Sequence, residues 1–390
     1  MAIQYFTAGE SHGPVVLTIL NGIPAGLDIS PAEIDVDLAR RQLTLGAGGR
    51  MRLEHDKVQI LAGVMAGKTT GAPMALQVEN RDHVRWKNKS IAAFTTPRPG
   101  HADLNGVLKF GYDDIRPALE RASARETAVR VAAGAVARKF LSVFGIKVGG
   151  YVTAIGEVEA DVSTLDEESR IHQASLNPVV CPDEVAAAKM ILAIERVMQQ
   201  RDTLGGIIEV VALGLPPGLG SFMQADQRLD ARLGAAVLGV QAMKGVEIGP
   251  AFDNTRRQGT QVQDAIQIEN GRLVRLTNRC GGLEGGITTG QPLIVRAAMK
   301  PIATTLTPQK TVDLASGEMK DTVYERSDFC PVPRAVVILE AVIALELANA
   351  LILKVGGDSV HEMLLRFNSL SQARLEDIHL KGGNQVWWVD

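Results

Sequence analysis

Two histidines stand in tight loops that contain glycine, where an imidazole ring can reach a bound molecule. His12 lies between Ser11 and Gly13, and His101 follows Gly100, so neither ring is shielded by a bulky neighbour. A histidine in such a place can donate or accept a proton near neutral pH. An ordinary solvated loop histidine is the alternative at each position. Five other histidines lie in charged or polar surroundings and are predicted to be surface residues: His55, His83, His172, His361 and His379.

Arginines recur beside glycines and near these histidines. Those singled out are Arg40, Arg41, Arg50 and Arg52 in one stretch without an acid, Arg98 before the His101 loop, Arg121, Arg125 and Arg130 at the start of a candidate helix, and Arg326 and Arg334 on either side of Asp328. Arginine among glycines is suited to binding phosphate and carboxylate through paired hydrogen bonds. For Arg52 and Arg130, a solvated surface role is the alternative. The pattern predicts a site for a polyanion.

The glycine-rich loops do not match the two standard nucleotide-binding patterns. The stretch from Gly281 to Gly286 exposes backbone amides, but the chain has no G-x-x-x-x-G-K-[ST] sequence, and no G-x-G-x-x-G follows its first strand. We therefore expect an anion that is not a nucleotide held in either of these ways.

The run Gly9-Glu10-Ser11-His12-Gly13 matches the G-x-S-x-G pattern of serine hydrolases. In those enzymes the serine stands on a turn from a strand into a helix. Here Pro14 and the β-branched residues after it predict a second strand, so the required context is missing. A serine hydrolase is retained only as a minor alternative, which fluorophosphonate labelling of Ser11 would reveal.

Composition excludes several classes of protein. The 390 residues carry a net charge of −3 and are 46% hydrophobic, which is typical of a folded soluble protein and not of a disordered one. A near-neutral charge and 4% aromatic residues argue against nucleic-acid and membrane-surface binding. The apolar stretch from Ala335 to Leu353 contains Glu340, Glu346 and Asn349, so we expect a buried helix there and not a membrane span.

No metal site is predicted, because no residues have metal-ligand spacing and the three cysteines form no C-x-x-C pair. This cysteine usage favours a reducing compartment. Because no secretory signal is visible at the N-terminus, a cytoplasmic location is expected.

Strands alternate with long apolar helices along the chain. Strands are predicted at 3–6, 15–20, 58–65, 206–213 and 292–298, and helices at 31–41, 125–144, 183–200, 226–244 and 334–353, with 81–103 irregular. The last four helices are so apolar that each must be covered over most of its surface. Helices buried between sheets satisfy both patterns. No low-complexity linker interrupts the chain, so a single domain over 1–390 is expected.

Taken together, seven segments in this order and spacing resemble the chorismate synthase family over nearly the whole chain. They are Gly9–Gly13, Arg98–Asp103, Arg121–Thr127, Lys244–Gly249, Gly285-Gly286 with Gly290-Gln291-Pro292, Lys300-Pro301 and Arg326–Asp328. The resemblance implies an α+β fold, a β-α-β sandwich with long helices buried between two antiparallel sheets, assembled as a homotetramer.

The resemblance also implies a reaction. Members of the family eliminate phosphate from 5-enolpyruvylshikimate 3-phosphate to give chorismate, an anti 1,4-elimination that consumes no net electrons yet requires reduced FMN. It implies His12 as a general acid, His101 as the group that holds the reduced flavin electron-rich, and Asp328 as an aid to removal of the C6 proton.

The binding residues follow from the same resemblance. Substrate is expected to face Ser11, Arg41, Arg50, Arg98 and Arg125. The flavin is expected to lie against Arg121, Ala122, Ser123, Gln241, Ala242, Gly285, Lys300, Pro301, Ile302, Ala303, Thr304 and Arg326.

This chain departs from the family pattern at three positions. Ala47 replaces an arginine, Ala122 replaces a serine, and Phe329 replaces a proline. NADP is the nicotinamide cofactor associated with the family, but no nicotinamide fingerprint is visible here, so an external flavin reductase is expected. A flavin- or anion-binding homologue without catalysis is the alternative function.

Overall fold

The computed structural model describes residues 2–42, 45, 55–324, 328–370, 372–380, 382–384 and 387–388. The predicted site residues Arg50 and Arg326, and the departure at Ala47, lie outside the described residues.

Within that part of the chain the strands are β1 (Gln4–Ala8), β2 (Val15–Asn21), β3 (Val58–Ala62), β4 (Val64–Met65), β5 (Lys68–Thr69), β6 (Met74–Glu79), β7 (Lys147–Ile155), β8 (Val158–Glu159), β9 (Gly206–Leu213), β10 (Met243–Ile248), β11 (Ile266–Glu269), β12 (Arg272–Arg275), β13 (Leu283–Glu284), β14 (Ile287–Thr288), β15 (Leu293–Met299), β16 (Lys310–Val312) and β17 (Met319–Asp321). The helices are α1 (Pro31–Gln42), α2 (Asp103–Phe110), α3 (Arg116–Arg121), α4 (Thr127–Val143), α5 (Glu167–Ala174), α6 (Glu184–Gln200), α7 (Leu229–Leu238), α8 (Ala251–Asn254), α9 (Gly259–Val262), α10 (Val332–Val355) and α11 (Val360–Phe367).

Two antiparallel sheets form the outer layers. One has the strand order β1-β2-β6-β3 and the other β10-β15-β9-β7-β8. Helix α4 packs on strands β1, β2 and β6 of the first sheet, while α10 packs on β7 and β9 of the second. The two helices also pack against each other, and α1 contacts both. The predicted α+β sandwich with helices between two antiparallel sheets is confirmed.

Helix α10 is the centre of this sandwich. Its length and composition would allow it to cross a membrane, but 89% of its most apolar stretch is buried inside the protein. Glu340 lies in its middle, 1% exposed, and accepts hydrogen bonds from Arg40 on α1 at 2.6 and 2.8 Å. Arg138 on α4 approaches the same carboxylate at 3.3 Å, and the Gly150 N–H of β7 donates to it at 2.8 Å. The buried charge therefore joins three helices and one sheet, because its three partners lie on α1, α4 and β7 while Glu340 itself belongs to α10.

Helices α4 and α10 approach each other most closely where a glycine removes the side chain. A Cβ atom added to Gly134 would lie 2.2 Å from the Cβ of Ala341 and 2.4 Å from its Cα. Only glycine permits this separation of the two backbones.

Two expectations about the helices are wrong. The helix predicted over 226–244 ends at Leu238, because the chain turns at Ala242 with φ of 67° and the residues from Met243 onward pair with β15 as strand β10. Helix α6 is covered on one face only, since Val185 and Leu192 on its other face are 67% and 61% exposed. The strand predicted over 58–65 is divided into β3 and β4 at Gly63, whose φ is 87°.

Candidate functional site

A cavity of about 840 Å³ opens beside the first turns of α4 and α10. Helix N-termini carry a partial positive charge and unpaired N–H groups, so the N-termini of α4 and α10 favour the binding of an anion in this cavity. Most of the predicted site residues line this cavity: Ser11, His12, Arg41, Arg98, His101, Ala122, Ser123, Arg125, Gln241, Ala242, Lys300, Ile302, Ala303, Thr304 and Asp328. The three predicted proton-transfer groups thus share one space, although they are far apart in sequence.

His12 lies in the loop between β1 and β2, against the end of α3. Its Nδ1 is 2.7 Å from Oε1 of Glu120, and its backbone N–H donates to Oε2 of the same carboxylate at 2.7 Å. The His12 ring also packs on Trp86, with ring centroids 4.1 Å apart. The loop that contains Ser11 connects two antiparallel strands. The expectation that a strand, and not a helix, follows this serine is therefore confirmed.

His101 precedes α2 and is held by a buried aspartate. Nδ1 of His101 lies 2.5 Å from Oδ1 of Asp103, which is fully buried. The same carboxylate accepts from Nε and Nη2 of Arg98 at 2.8 and 3.0 Å. Burial disfavours the charged carboxylate, but the hydrogen bonds and charges of His101 and Arg98 outweigh burial, so the pKa of Asp103 lies well below its usual value. Asp103 is therefore an anion that orients both cavity residues.

Arg41 and Arg125 share a second buried carboxylate. Nη1 of Arg41 is 3.2 Å from Asp56, and Nη1 of Arg125 is 2.6 Å from its other oxygen. Burial and the nearby charges of Arg125 and Arg334 lower the pKa of Arg41 to about 10, although Asp56 opposes the shift. Arg41 is still a cation at neutral pH, and the crowding of three guanidinium groups makes an incoming anion favourable.

Arg334, in the first turn of α10, forms an ion pair with Asp328 at 2.6 Å. Its Nε and Nη2 are buried and have no hydrogen-bond partner among the described residues. Oε1 of Gln241 is likewise buried and unpaired within the described chain. Buried polar groups are usually satisfied, so these unpaired atoms at the cavity indicate that a polar ligand supplies their partners.

Other lining residues present hydroxyls, backbone groups and one more cation to the cavity. The hydroxyl of Ser123 donates to that of Ser11 at 3.1 Å, and Nζ of Lys300 donates to the Gly100 carbonyl at 3.1 Å. The Lys300 N–H donates to the carbonyl of Ala242 at 3.0 Å, which joins the end of β15 to the turn before β10.

Three predicted flavin residues lie outside the lining of this cavity. Arg121 is exposed and donates to the Thr7 carbonyl of β1. Gly285 occupies the exposed turn between β13 and β14, and Pro301 is exposed although its neighbours on both sides line the cavity. Their roles stay predictions.

The sequence did not indicate several residues that belong to the site. Asp56, Asp103 and Glu120 are acids without a motif of their own, and only the fold brings each of them to its cation or histidine. Trp86 lies in a segment predicted to be irregular. His83 was predicted to be a surface residue, but it is partly buried and its Nδ1 bonds the His12 carbonyl at 2.9 Å. No sequence signal distinguished it from the other polar histidines.

Among the residues that the structure describes, one group of potential metal ligands is found, and it lies away from the cavity. Donor atoms of Asp264, Cys280 and Glu284 lie within 4.8 Å of one another. The Asp264 carboxylate already accepts from the backbone N–H groups of Arg279 and Cys280, and Glu284 is bound by Arg275 at 2.6 Å. These protein partners account for the cluster.

Comparisons with known proteins agree on one family. The family profile described as chorismate synthase matches residues 3–352. A chorismate synthase of Symbiobacterium thermophilum is 50% identical over 381 residues, covering 94% of this chain and 97% of that protein, and one of Prosthecochloris aestuarii is 50% identical over 387 residues with the same coverage. A solved structure entitled "Crystal Structure of Chorismate Synthase" superimposes with a TM-score of 0.78 at 40% identity, covering 94% of this chain and 97% of its own.

Proposed function

Since the chain belongs to the chorismate synthase family, we propose that it eliminates phosphate from 5-enolpyruvylshikimate 3-phosphate to form chorismate with the aid of reduced FMN. The reaction would be an anti 1,4-elimination that provides the last common precursor of the aromatic amino acids. The observation that carries the proposal is the convergence of His12, His101 and Asp328 on one cavity with several arginines.

The charge of the cavity suits this substrate. The proposed substrate has two carboxylates and a phosphate, about four negative charges, and the phosphate of a flavin adds nearly two more. Among the described lining residues the acids are Asp82 and Asp328, and the cations are Arg41, Arg85, Arg98, Arg125, Lys244, Lys300 and Arg334. This excess of cations contrasts with the net charge of −3 of the whole chain. It would offset the cost of removing a polyanion from water.

The residues present also fit a flavin. A volume of about 840 Å³ lies in the upper part of the ~300–1,000 Å³ range of small-molecule sites, which leaves room for two ligands. Gln241, Ser123 and the backbone of Lys300–Thr304 would hold the flavin, and the unpaired Oε1 of Gln241 would gain a donor. Bound reduced FMN would lend electron density to the allylic system while the C–O bond breaks and would recover it as the C6 hydrogen is lost, so that no net electrons are consumed.

Three side chains would manage protons and charge around the substrate. His12 would donate a proton as general acid, and His101, whose ring is oriented by Asp103, would hold the reduced flavin in its electron-rich state. Asp328, which pairs with Arg334 at 2.6 Å, would assist loss of the C6 proton. Each proton-transfer group is expected to contribute about 10²–10⁴-fold to the rate.

We further propose a homotetramer in the cytoplasm that receives its reduced flavin from an external reductase. The outward face of the four-stranded sheet supports assembly with other copies, since Phe6 and Ile19 are paired across β1 and β2 and are 73% and 38% exposed. Burial of such a patch in a second copy would remove apolar surface from water.

The test is phosphate release under anaerobic conditions with dithionite-reduced FMN and the proposed substrate, against oxidised FMN as the control. We expect turnover only with the reduced flavin. His12→Ala and His101→Ala should reduce turnover strongly while binding is mostly retained. If the folded protein binds FMN but releases no phosphate, the lyase proposal is wrong. If both variants change affinity alone, the alternative of a non-catalytic flavin-binding homologue is favoured.

A further inference from the structure

One carboxylate holds both the ring and the backbone of His12. Glu120, near the end of α3, contacts Nδ1 and the backbone N–H of His12 at 2.7 Å each, through different oxygens. An ionised carboxylate only accepts hydrogen bonds, so Nδ1 carries a proton. Among the described residues nothing bonds the other ring nitrogen, Nε2. Glu120 itself is not one of the described residues that line the cavity, so it lies behind His12 as seen from a ligand.

The plane of the His12 ring is fixed by two further contacts. The ring lies against Trp86 at a centroid distance of 4.1 Å, and the guanidinium of Arg116 covers Trp86 at 5.5 Å. The His12 carbonyl is bonded by His83 at 2.9 Å. With the backbone, the ring face and Nδ1 all held, the imidazole has little freedom to turn Nε2 away from the cavity.

The charged groups around His12 come from four segments of the chain. On α3 these are Glu120 and Arg116; on the 3-10 helix Arg81–Arg85 they are Asp82 and Arg85, which pair with each other at 3.6 Å. Glu10 belongs to the loop of His12 and is exposed, and Arg125 lines the same cavity. Glu120 is the acid that bonds the imidazole directly. Burial opposes its ionisation, but the hydrogen bonds and charge of His12 outweigh burial, so the pKa of Glu120 lies below its usual value.

We propose that Glu120 is a positioning residue: it accepts a hydrogen bond from Nδ1–H of His12, directs Nε2 into the cavity, and places a negative charge against the imidazolium form from which Nε2 can donate. This inference rests on the proposed function only in taking His12 as the general acid. A neutral imidazole bound at Nδ1–H would present a lone pair at Nε2 and could not donate; the imidazolium presents an N–H. The acid therefore depends on a side chain that never touches the ligand.

The fluorescence of Trp86 allows the interaction between Glu120 and His12 to be measured without an activity assay. The chain has three tryptophans, and Trp387 and Trp388 are 75% and 90% exposed, so changing both to Phe leaves Trp86 as the single indole with little loss of packing. An imidazolium in contact with an indole quenches its fluorescence more than a neutral imidazole does. A pH titration of this variant should show a transition that His12→Gln abolishes.

The decisive change is Glu120→Gln in the Trp86-only background. We expect the midpoint of the fluorescence transition to fall by about one to two pH units, because an anion in contact with the imidazolium is removed. Glu126→Gln is the matched control, since Glu126 is also buried but bonds Arg130 and Thr7; its midpoint should stay unchanged. Turnover of Glu120→Gln should fall tenfold or more at neutral pH and recover as the pH is lowered, with KM little changed.

An unchanged midpoint in Glu120→Gln would overturn the inference, whatever the catalytic result. If Glu120→Gln does not fold, Glu120→Asp serves instead, because it keeps the negative charge but shortens the side chain by one methylene group. We then expect a smaller fall in the midpoint of the fluorescence transition. An unchanged midpoint in Glu120→Asp would again overturn the inference. A protein that never releases phosphate refutes the proposed function but leaves the titration readable, so the two failures are distinguishable.

Discussion

Gly134→Ala is predicted to destabilise the protein although alanine is the better helix former. The added Cβ would lie 2.2 Å from the Cβ of Ala341 and 2.4 Å from its Cα, whereas carbon atoms that touch without bonding lie about 3.5–4.0 Å apart. The backbones of α4 and α10 must therefore move apart by roughly an ångström at the centre of the sandwich. No rotamer change relieves the clash, because one of the atoms belongs to the backbone.

The magnitude follows from two opposing contributions. Overpacking of a core costs about 1–3 kcal/mol, and a clash with backbone belongs at the upper end of that range. The gain in helix propensity from glycine to alanine is about 1 kcal/mol. We expect a net loss of about 2 kcal/mol in the free energy of unfolding. The separation would also move Arg125 and Arg334, since both precede or open these helices at the cavity.

The assay is guanidinium unfolding followed by far-ultraviolet circular dichroism, at one fixed protein concentration. Gly234→Ala is the matched control, because a Cβ there would meet only Val246, at 3.8 Å, so it should stabilise α7 by about 0.5–1 kcal/mol. Adding Ala341→Gly to Gly134→Ala should recover only part of the loss, since the clash with the backbone of α10 persists when the methyl group is removed. A Gly134→Ala protein as stable as the wild type would refute this account of how the two helices pack.

Three further outcomes are expected. Arg334→Gln should weaken binding of the proposed substrate about tenfold or more by calorimetry, because two of its buried nitrogens have no partner in the described chain. It should also lower the free energy of unfolding by about 1–3 kcal/mol, because Asp328 loses its ion pair at 2.6 Å; unchanged affinity would remove Arg334 from the anion site. Glu340→Gln should cost about 1–3 kcal/mol of unfolding free energy because it removes the buried charge that both arginines contact, although Asp37 still pairs with Arg40 at 3.0 Å and with Arg138 at 2.7 Å; a loss under about 0.5 kcal/mol would show that the Glu340 charge is unimportant for stability. Asp103→Asn should lower the free energy of unfolding at neutral pH. The difference in this free energy between the wild type and the variant should shrink as the pH falls below about 4. The sign follows because a carboxyl whose pKa is lowered by folding stabilises only while it is ionised; a difference that grows in acid would contradict it.

The layers of the fold could be predicted because they depend on local pattern. A stretch as apolar as α10 must be covered on all sides, and alternating β-branched residues bounded by glycines form strands wherever they fall. The errors occurred where a distant partner decided the outcome. The residues from Met243 onward form strand β10 because they pair with β15, which is distant in the sequence. Helix α6 has one exposed face, although its apolar composition predicted coverage over most of its surface.

The residues proposed to contact a ligand could largely be predicted from the sequence, because histidine and arginine beside glycine are suited to contacting a bound anion. The sequence by itself determined the family, the cations of the cavity and the proposed proton-transfer groups. Only the tertiary structure decided which acid serves each of them: Asp56 for two arginines, Asp103 for His101, Glu120 for His12. The reason is physical. A carboxylate acquires its role from the charge a few ångströms away, and the partners here come from separate segments of the chain that meet only when the two sheets enclose their helices.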